Sequence, residues 1–418
     1  MQTALVFSIY VIFFNWLVTR IGFIKKTCLQ AEWLAGLFSL KIIGGLAYAW
    51  FYMQPAYIAN SDTWHYFELS KTETDWLLKD PFAFIKDLFT YGYGQTGNLF
   101  LHNNSYWNDL KSNIIIKLLA VCNLFTFKNY FANIIFFNFI FFFGPIALYR
   151  LTKQLFHVNK ILLTGCIFLT PSFLFWCSGI HKDGLIFTCF AIILFHFYKQ
   201  LVNRKINVSS FLISIVCLMI IFALRNFMAL LLLPALLAWL LSNLYPSRSK
   251  RIAIVMYGVG IILFFASAKI TPQINLPQYV IEKQTEFRQL SGNSAIEVPP
   301  LENNLISFIR FLPTAIDIAV FRPHVTEIRN KSYIPAAFEV ILFWGIILFS
   351  FFIKQGKNLS PQQSAFIIFC LCYSISFLLI AGYTITFSGA IVRYRALILP
   401  FIFIPALIKL SSLKLKHK

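Results

Sequence analysis

The chain alternates long apolar runs with short polar connections, and the runs have the length of membrane crossings. A helix needs roughly 17 to 25 apolar residues to cross a hydrocarbon core, and aromatic flanks extend shorter ones. On that measure about eleven membrane helices are predicted, over residues 4–24, 33–53, 130–149, 161–177, 185–198, 211–224, 227–244, 252–268, 334–353, 365–383 and 396–410. Two connections are long, 54–129 and 269–333. Each carries an apolar piece unsuited to crossing: 114–127, which contains Lys117, and the amphipathic 305–321. Both predict helices lying at the membrane surface. No internal repeat of solenoid period is present. The expectation is an all-α, polytopic helical bundle forming one integral membrane domain over residues 1–418.

Charge falls in register with the runs. The connections holding Lys25 and Lys26, then Arg150, Lys153 and Lys160, then Lys199, Arg204 and Lys205 are basic, as are those holding Arg248, Lys250 and Arg251, then Lys354 and Lys357. The tail adds Lys409, Lys414, Lys416 and Lys418. Every second connection is therefore basic, and short basic loops stay in the cytoplasm, which predicts an N-terminus outside and a C-terminus inside. Apart from Glu32 and Glu339, every Asp and Glu then falls on the outer side.

Composition agrees. A chain 58% hydrophobic and 12% charged is no ordinary soluble domain. Its net charge of +20 comes from dispersed basic groups with no long basic face, so a nucleic-acid partner is not expected. The eight cysteines lie mostly inside apolar runs without CxxC or Cys/His spacing, which suits small core residues and neither zinc nor a disulfide framework. The first run lacks the basic flank and cleavage site of a signal peptide, so it is expected to stay as a helix.

Against this frame the polar groups predicted to lie outside stand out. In N-S-D-T-W-H-Y-F-E, residues 60–68, a helical start places Asp62, His65, Tyr66 and Glu68 within reach on one face; the bland alternative is that Ser61 or Asp62 caps a surface helix. P-S-F-L-F-W-C-S-G-I-H-K-D-G, residues 171–184, is the tightest predicted outer turn and holds His181, Lys182 and Asp183, more polarity than a turn requires unless it neutralises itself. Arg225 and Asn226 separate two strongly apolar runs, a costly place for a cation without a cavity or partner. F-R-P-H-V-T-E-I-R-N supplies Arg322, His324, Glu327, Arg329 and Asn330, and V-R-Y-R-A supplies Arg393 and Arg395. These arginines could simply hold lipid headgroups. Their shared side instead suits a site for an anionic, lipid-anchored substrate, because guanidinium forks match phosphate oxygens and a neighbouring carboxylate can act as general base.

The pattern resembles the GT-C superfamily of polytopic membrane glycosyltransferases and related bacterial membrane proteins of exopolysaccharide and O-antigen biosynthesis. S-D-T-W-H-Y matches the early acid of their first long outer loop, and the piece 114–127 matches their interfacial helices. The stretch P-S-F-L-F-W-C-S-G-I-H-K-D-G is similar to a P-S-x-x-F-W-S-S-G-x-x-K-(D/E) stretch of exopolysaccharide-locus proteins. F-R-P-H-V-T-E-I-R-N with Glu339, and V-R-Y-R-A-L-I-L-P, are similar to further pieces of that group.

The resemblance implies a cell-envelope glycan transferase at the outer face of the bacterial inner membrane, using a polyprenyl-phosphate- or diphosphate-linked sugar donor and a glycan or lipid acceptor. Asp62 would be the general base, assisted by His65. Lys182, Arg225, Arg322, Arg393 and Arg395 would hold the phosphate, with Tyr66, Glu68, His181, Asp183, His324 and Glu327 in support. A divalent metal could sit between Asp62 and Glu68 but is not required. The alternatives are a repeat-unit polymerase, a lipid-linked sugar transporter or flippase, whose ionisable groups are expected near the bilayer midplane, and a non-catalytic scaffold. Only Lys41 and Glu339 are candidates at that depth.

Overall fold

A computed structural model describes residues 2–59, 61–90, 106–270, 275–290, 294–328, 333–353 and 359–414, so Asn60, Arg329 and Asn330, and the basic Lys354, Lys357, Lys416 and Lys418, lie outside the described residues. The described residues hold helices and no strand, with one isolated bridge between Ala295 and Phe387. The chain opens with α1 (Gln2–Arg20), α2 (Gly22–Lys25), α3 (Ala31–Tyr52), α4 (Pro55–Ile58), α5 (Asp62–Lys79) and α6 (Pro81–Lys86). Then come α7 (Tyr106–Thr126), α8 (Tyr130–Leu155), α9 (Lys160–Phe168), α10 (Pro171–Trp176), α11 (Lys182–Asn203) and α12 (Val208–Leu244). The remainder is α13 (Ser249–Ile270), α14 (Leu276–Gln289), α15 (Leu305–Ile316), α16 (Ile334–Phe352), α17 (Pro361–Thr384), α18 (Ser388–Ala396) and α19 (Leu399–Lys414).

Seven of these helices are long and apolar enough to cross a membrane, or eight if the pair Ser388–Ala396 and Leu399–Ser411, bent by 58°, is one span. The sequence predicts about eleven, and three local features account for the difference. The apolar part of α1, Ala4–Arg20, is short. The run 161–177 breaks at Leu169 and Thr170, ahead of Pro171, into α9 and α10, neither of which has the length of a crossing. Runs 211–224 and 227–244 both fall within α12, counted once among the seven, but α12 is two helices that meet at a kink at Arg225 (φ −158°, ψ 78°), where the sequence separates the two runs. The result is a multi-pass, all-helical membrane protein.

The chain folds as two compact units, the first from residues 1–151 and 173–226, the second from 152–172 and 227–418. In the first unit, α5 and α7 pack against each other, and both bond the start of α8. Their seam is polar: Asn123 Nδ2 donates to Ser70 Oγ (2.9 Å) and Thr74 Oγ1 (3.1 Å), and Asn133 Nδ2 donates to Asn123 Oδ1 (2.7 Å). A buried amide network of this kind holds one register, because any slip strands donors away from water. Lys117, the charge that made 114–127 look unsuited to crossing, is buried in the pair. Its ammonium meets Glu73 (2.8 Å) and Asp87 (2.9 Å) and lies over the rings of Trp76 and Phe84. Burial pushes the Asp87 carboxyl up, but hydrogen bonds from Lys117 and Asn113 outweigh it and hold the group below its ordinary range.

In the second unit, Ser360 opens α17 with a capping box completed by Gln363, and Pro361 takes the first helical position, where its missing N–H costs nothing. The α15 helix lays Phe308, Phe311 and Ala315 against α17 and leaves Leu305, Ile306 and Ile309 exposed, consistent with an apolar environment on both sides. At Gly382 the two backbones approach so closely that a Cβ would meet Ala315.

Candidate functional site

The stretch 171–184 is expected as an outer turn; the structure places 173–184 in the first unit and buries residues 177–181, 183 and 184 there. Gly44 and Gly45 on α3 allow this, since a Cβ on Gly45 would come within 2.6 Å of the Ser178 carbonyl. Gly179 abuts the Tyr48 ring, and Gly184 abuts Phe141. The polar cost is met by two donors reaching into the turn. Lys41 Nζ donates to the Cys177 carbonyl (2.8 Å) and Ser178 Oγ (3.0 Å), and Asn138 Nδ2 donates to the Ser178 carbonyl (2.7 Å). Lys41, a depth candidate for transport, is thus bonded to the turn that carries His181.

Emerging from this turn, His181 lies between two carboxylates. Its Nε2 is 3.3 Å from Asp62 Oδ2, and its Nδ1 is 3.3 Å from Asp183 Oδ2. Asp183 Oδ1 accepts from Arg225 Nη2 at 2.7 Å. The four groups form a line, Asp62–His181–Asp183–Arg225, that starts at a side chain 53% exposed and continues through three buried ones. A neutral imidazole can donate to one neighbour, and only the doubly protonated ring donates to both. The Tyr66 ring lies over His181 at 6.4 Å, and its hydroxyl accepts from Ser112 Oγ at 3.3 Å. Arg225 supplies what the helix break requires: its side chain satisfies a buried acid that a membrane interior would otherwise penalise heavily.

The other residues of the first stretch are elsewhere. His65 is exposed on α5, and the imidazole that meets Asp62 is that of His181. Glu68 is exposed with both carboxylate oxygens 2.8 Å from Lys71. Lys182 is half-buried at the first residue of α11. Among the described residues, no group of three or more His, Cys, Asp or Glu side chains could hold a metal ion.

The second unit gathers its own cluster. Arg322 donates through Nε to Asp317 Oδ2 (3.0 Å), and its Nη1 is 2.6 Å from Glu327 Oε1. His324 Nε2 is 2.9 Å from Asp317 Oδ1, and the His324 backbone N–H donates to Glu327 Oε2 (3.1 Å). Two acids, an arginine and a histidine therefore close on one another. Beneath them, buried Arg395 donates through Nη1 to the carbonyls of Arg322 (2.9 Å), Ala319 (3.3 Å) and Val320 (3.4 Å), closing the end of the π-helical turn Asp317–Phe321. Glu339, inside α16, accepts from the Ser172 hydroxyl (2.9 Å) and backbone N–H (3.3 Å). Arg393 is half-buried on α18. A mostly apolar cavity of about 540 Å³ adjoins the cluster, with Asp317 and His324 at its edge and Phe321, Val340, Trp344 and Leu348 along it.

Several participants carry no sequence motif of their own. Asp317 sits in an amphipathic run with nothing local to mark it, though its spacing of five from Arg322 allows contact across a wide turn. The Ser172–Glu339 bond joins residues 167 apart. No family model, no curated protein and no solved structure matches this chain, so the reading of its function rests on the geometry of these two clusters.

Proposed function

We propose that the protein is a cell-envelope glycan transferase that uses a polyprenyl-phosphate- or diphosphate-linked sugar at the outer face of the bacterial inner membrane, with Asp62 as its general base. The observation that carries this reading is the line Asp62–His181–Asp183–Arg225. An exposed carboxylate with a buried, charge-balanced support behind it is what a general base needs: access to a substrate hydroxyl and a fixed orientation. In the reaction, Asp62 takes the proton of the acceptor hydroxyl as that oxygen bonds to the anomeric carbon. The bond from that carbon to the lipid phosphate breaks, and the phosphate departs with the electron pair. His181 is the positioning residue for Asp62. Lys182, next to His181 in sequence, is the cation assigned to the phosphate in this reading. Arg225 serves Asp183 instead, while Arg322 and Arg395 are occupied by the contacts of their own unit.

The alternation of basic connections supports an N-terminus outside and a C-terminus inside. The guanidinium of Arg225 favours a transferase over a proton-coupled transporter, because it stays charged and does not pass protons on. The test is sugar transfer by the full chain in lipid, supplied with lipid-linked sugar donors. Asp62→Asn is expected to abolish most transfer, whereas Glu68→Gln, two turns along the same helix, leaves it unchanged. Transfer by Asp62→Asn at the unaltered rate overturns the assignment. Product length then separates single-sugar transfer from repeat-unit polymerisation.

A further inference from the structure

We infer that α6 and the 3-10 turn after it, Asp87–Phe89, form an edge that docks on an anionic bilayer surface. Phe82, Ile85 and Phe89 are 78%, 55% and 65% exposed. Their spacing of three and four residues puts them on one side of the segment. On the other side, Phe84 is buried against Trp76 and beneath the Lys117 ammonium. Leu78, in the last turn of α5, is also exposed. Outside a membrane span, three large apolar side chains in a row are a costly surface to leave in water.

Two observations identify what covers them. The first is continuity with the bilayer. The segment lies between α3 and α8, both apolar enough to cross the membrane, and no helix of the described residues between them qualifies as a span. It is carried by α5 and α7, which are both bonded to the start of α8. Tyr130, the first residue of α8, shares a 2.6 Å hydrogen bond with Thr63 of α5, and Asn133 bonds Asn123 of α7. The apolar edge therefore belongs to a group of helices anchored on a spanning helix.

The second is charge. Four charged side chains flank the edge, and both acids have partners within the protein. Asp80 Oδ1 accepts from the Ala83 backbone N–H (2.9 Å), capping α6, and Asp87 meets Lys117 and Asn113. Lys79 and Lys86 are exposed, and neither meets a carboxylate among the described residues. Large apolar groups bracketed by available ammonium groups fit a lipid interface with anionic headgroups, where each lysine adds its own attraction.

The experiment places nitroxide labels on the full chain in nanodiscs containing phosphatidylglycerol, in a Cys28→Ser background, with Phe82→Cys, Ile85→Cys and Phe89→Cys made singly. Thr72→Cys, at an exposed polar position of α5, is the aqueous control. The labels at 82, 85 and 89 are expected to collide several-fold more often with dissolved oxygen than with a water-soluble nickel chelate, and the control the reverse. Nickel collisions at 82, 85 and 89 equal to the control overturn the proposal. Shielding from both relaxants also overturns it, since that marks a protein cover. Adding Lys79→Gln and Lys86→Gln together, or replacing phosphatidylglycerol by phosphatidylcholine, is expected to lower the oxygen-to-nickel ratio. No change in either arm overturns the anionic part of the inference.

Discussion

The first unit sets four charged groups in a line, and the second closes four in a ring. Asp62, His181, Asp183 and Arg225 each reach toward the next, so the last cation balances a buried acid and the first carboxylate is left facing outward. Asp317, Arg322, His324 and Glu327 instead satisfy one another, and Arg395 is committed to backbone carbonyls below them. The two have similar residue types, and composition alone would rank them as equal candidates. Connectivity separates them: a line has an exposed end that can act on a substrate, whereas a ring has to be opened first. Burial separates them too, because Asp183 is fully buried while every member of the ring is partly exposed.

The largest effect is expected at Asp183. Asp183→Ala leaves Arg225 buried without its acid and is expected to cost about 3–5 kcal/mol. Thermal unfolding in detergent measures it, and Asp183→Leu combined with Arg225→Met should recover most of the loss. At the exposed end of the same line, Asp62→Asn is expected to lower transfer by about 10²–10⁴-fold with little change in unfolding temperature. Backbone packing of the second unit is tested by Gly382→Ala, whose Cβ meets the Ala315 backbone; overpacking of this kind costs about 1–3 kcal/mol in the same unfolding measurement.

Smaller effects sharpen the contrast. Arg322→Ala opens the ring but acts on partly exposed ion pairs, so its cost is expected to be about 1 kcal/mol or less. If it equals that of Asp183→Ala, burial is not what distinguishes the clusters. The smallest effect is that of pH on α5 and α7. The Asp87 carboxyl is held low in the folded chain, so its contribution is complete above the ordinary carboxylate pKa of about 3.9 and is lost as pH falls through its lower folded value. Amide exchange in α7 should therefore accelerate in that acidic window, and Asp87→Asn should remove the pH dependence.

Much of this was legible in the chain. Run length and hydropathy located the seven long apolar helices, because a helix surrounded by lipid must be apolar along its whole length. Lys117 was legible as a charge that a crossing would not tolerate, and Asp62 with Tyr66 as neighbours on one face. Asp183 and His181 were legible as polarity in excess of a turn, but their burial was not: it depends on Gly44, Gly45 and Gly179 letting the turn approach α3, and close approach has no local signature. The same holds for Arg225, which reads as a costly cation until its acid is located.

The sequence by itself determined that this is a multi-pass helical membrane protein and where its ionisable groups fall along the chain, since hydropathy and charge are summed locally. Only the tertiary structure decided which groups meet. It gave Asp62 the imidazole of His181, 119 residues away, in place of that of His65 three residues along its own helix. The reason is geometric. Helical spacing brings residues within reach, but a side chain's partner is set by which element packs against its face, and that choice is made by contacts distributed over the whole unit.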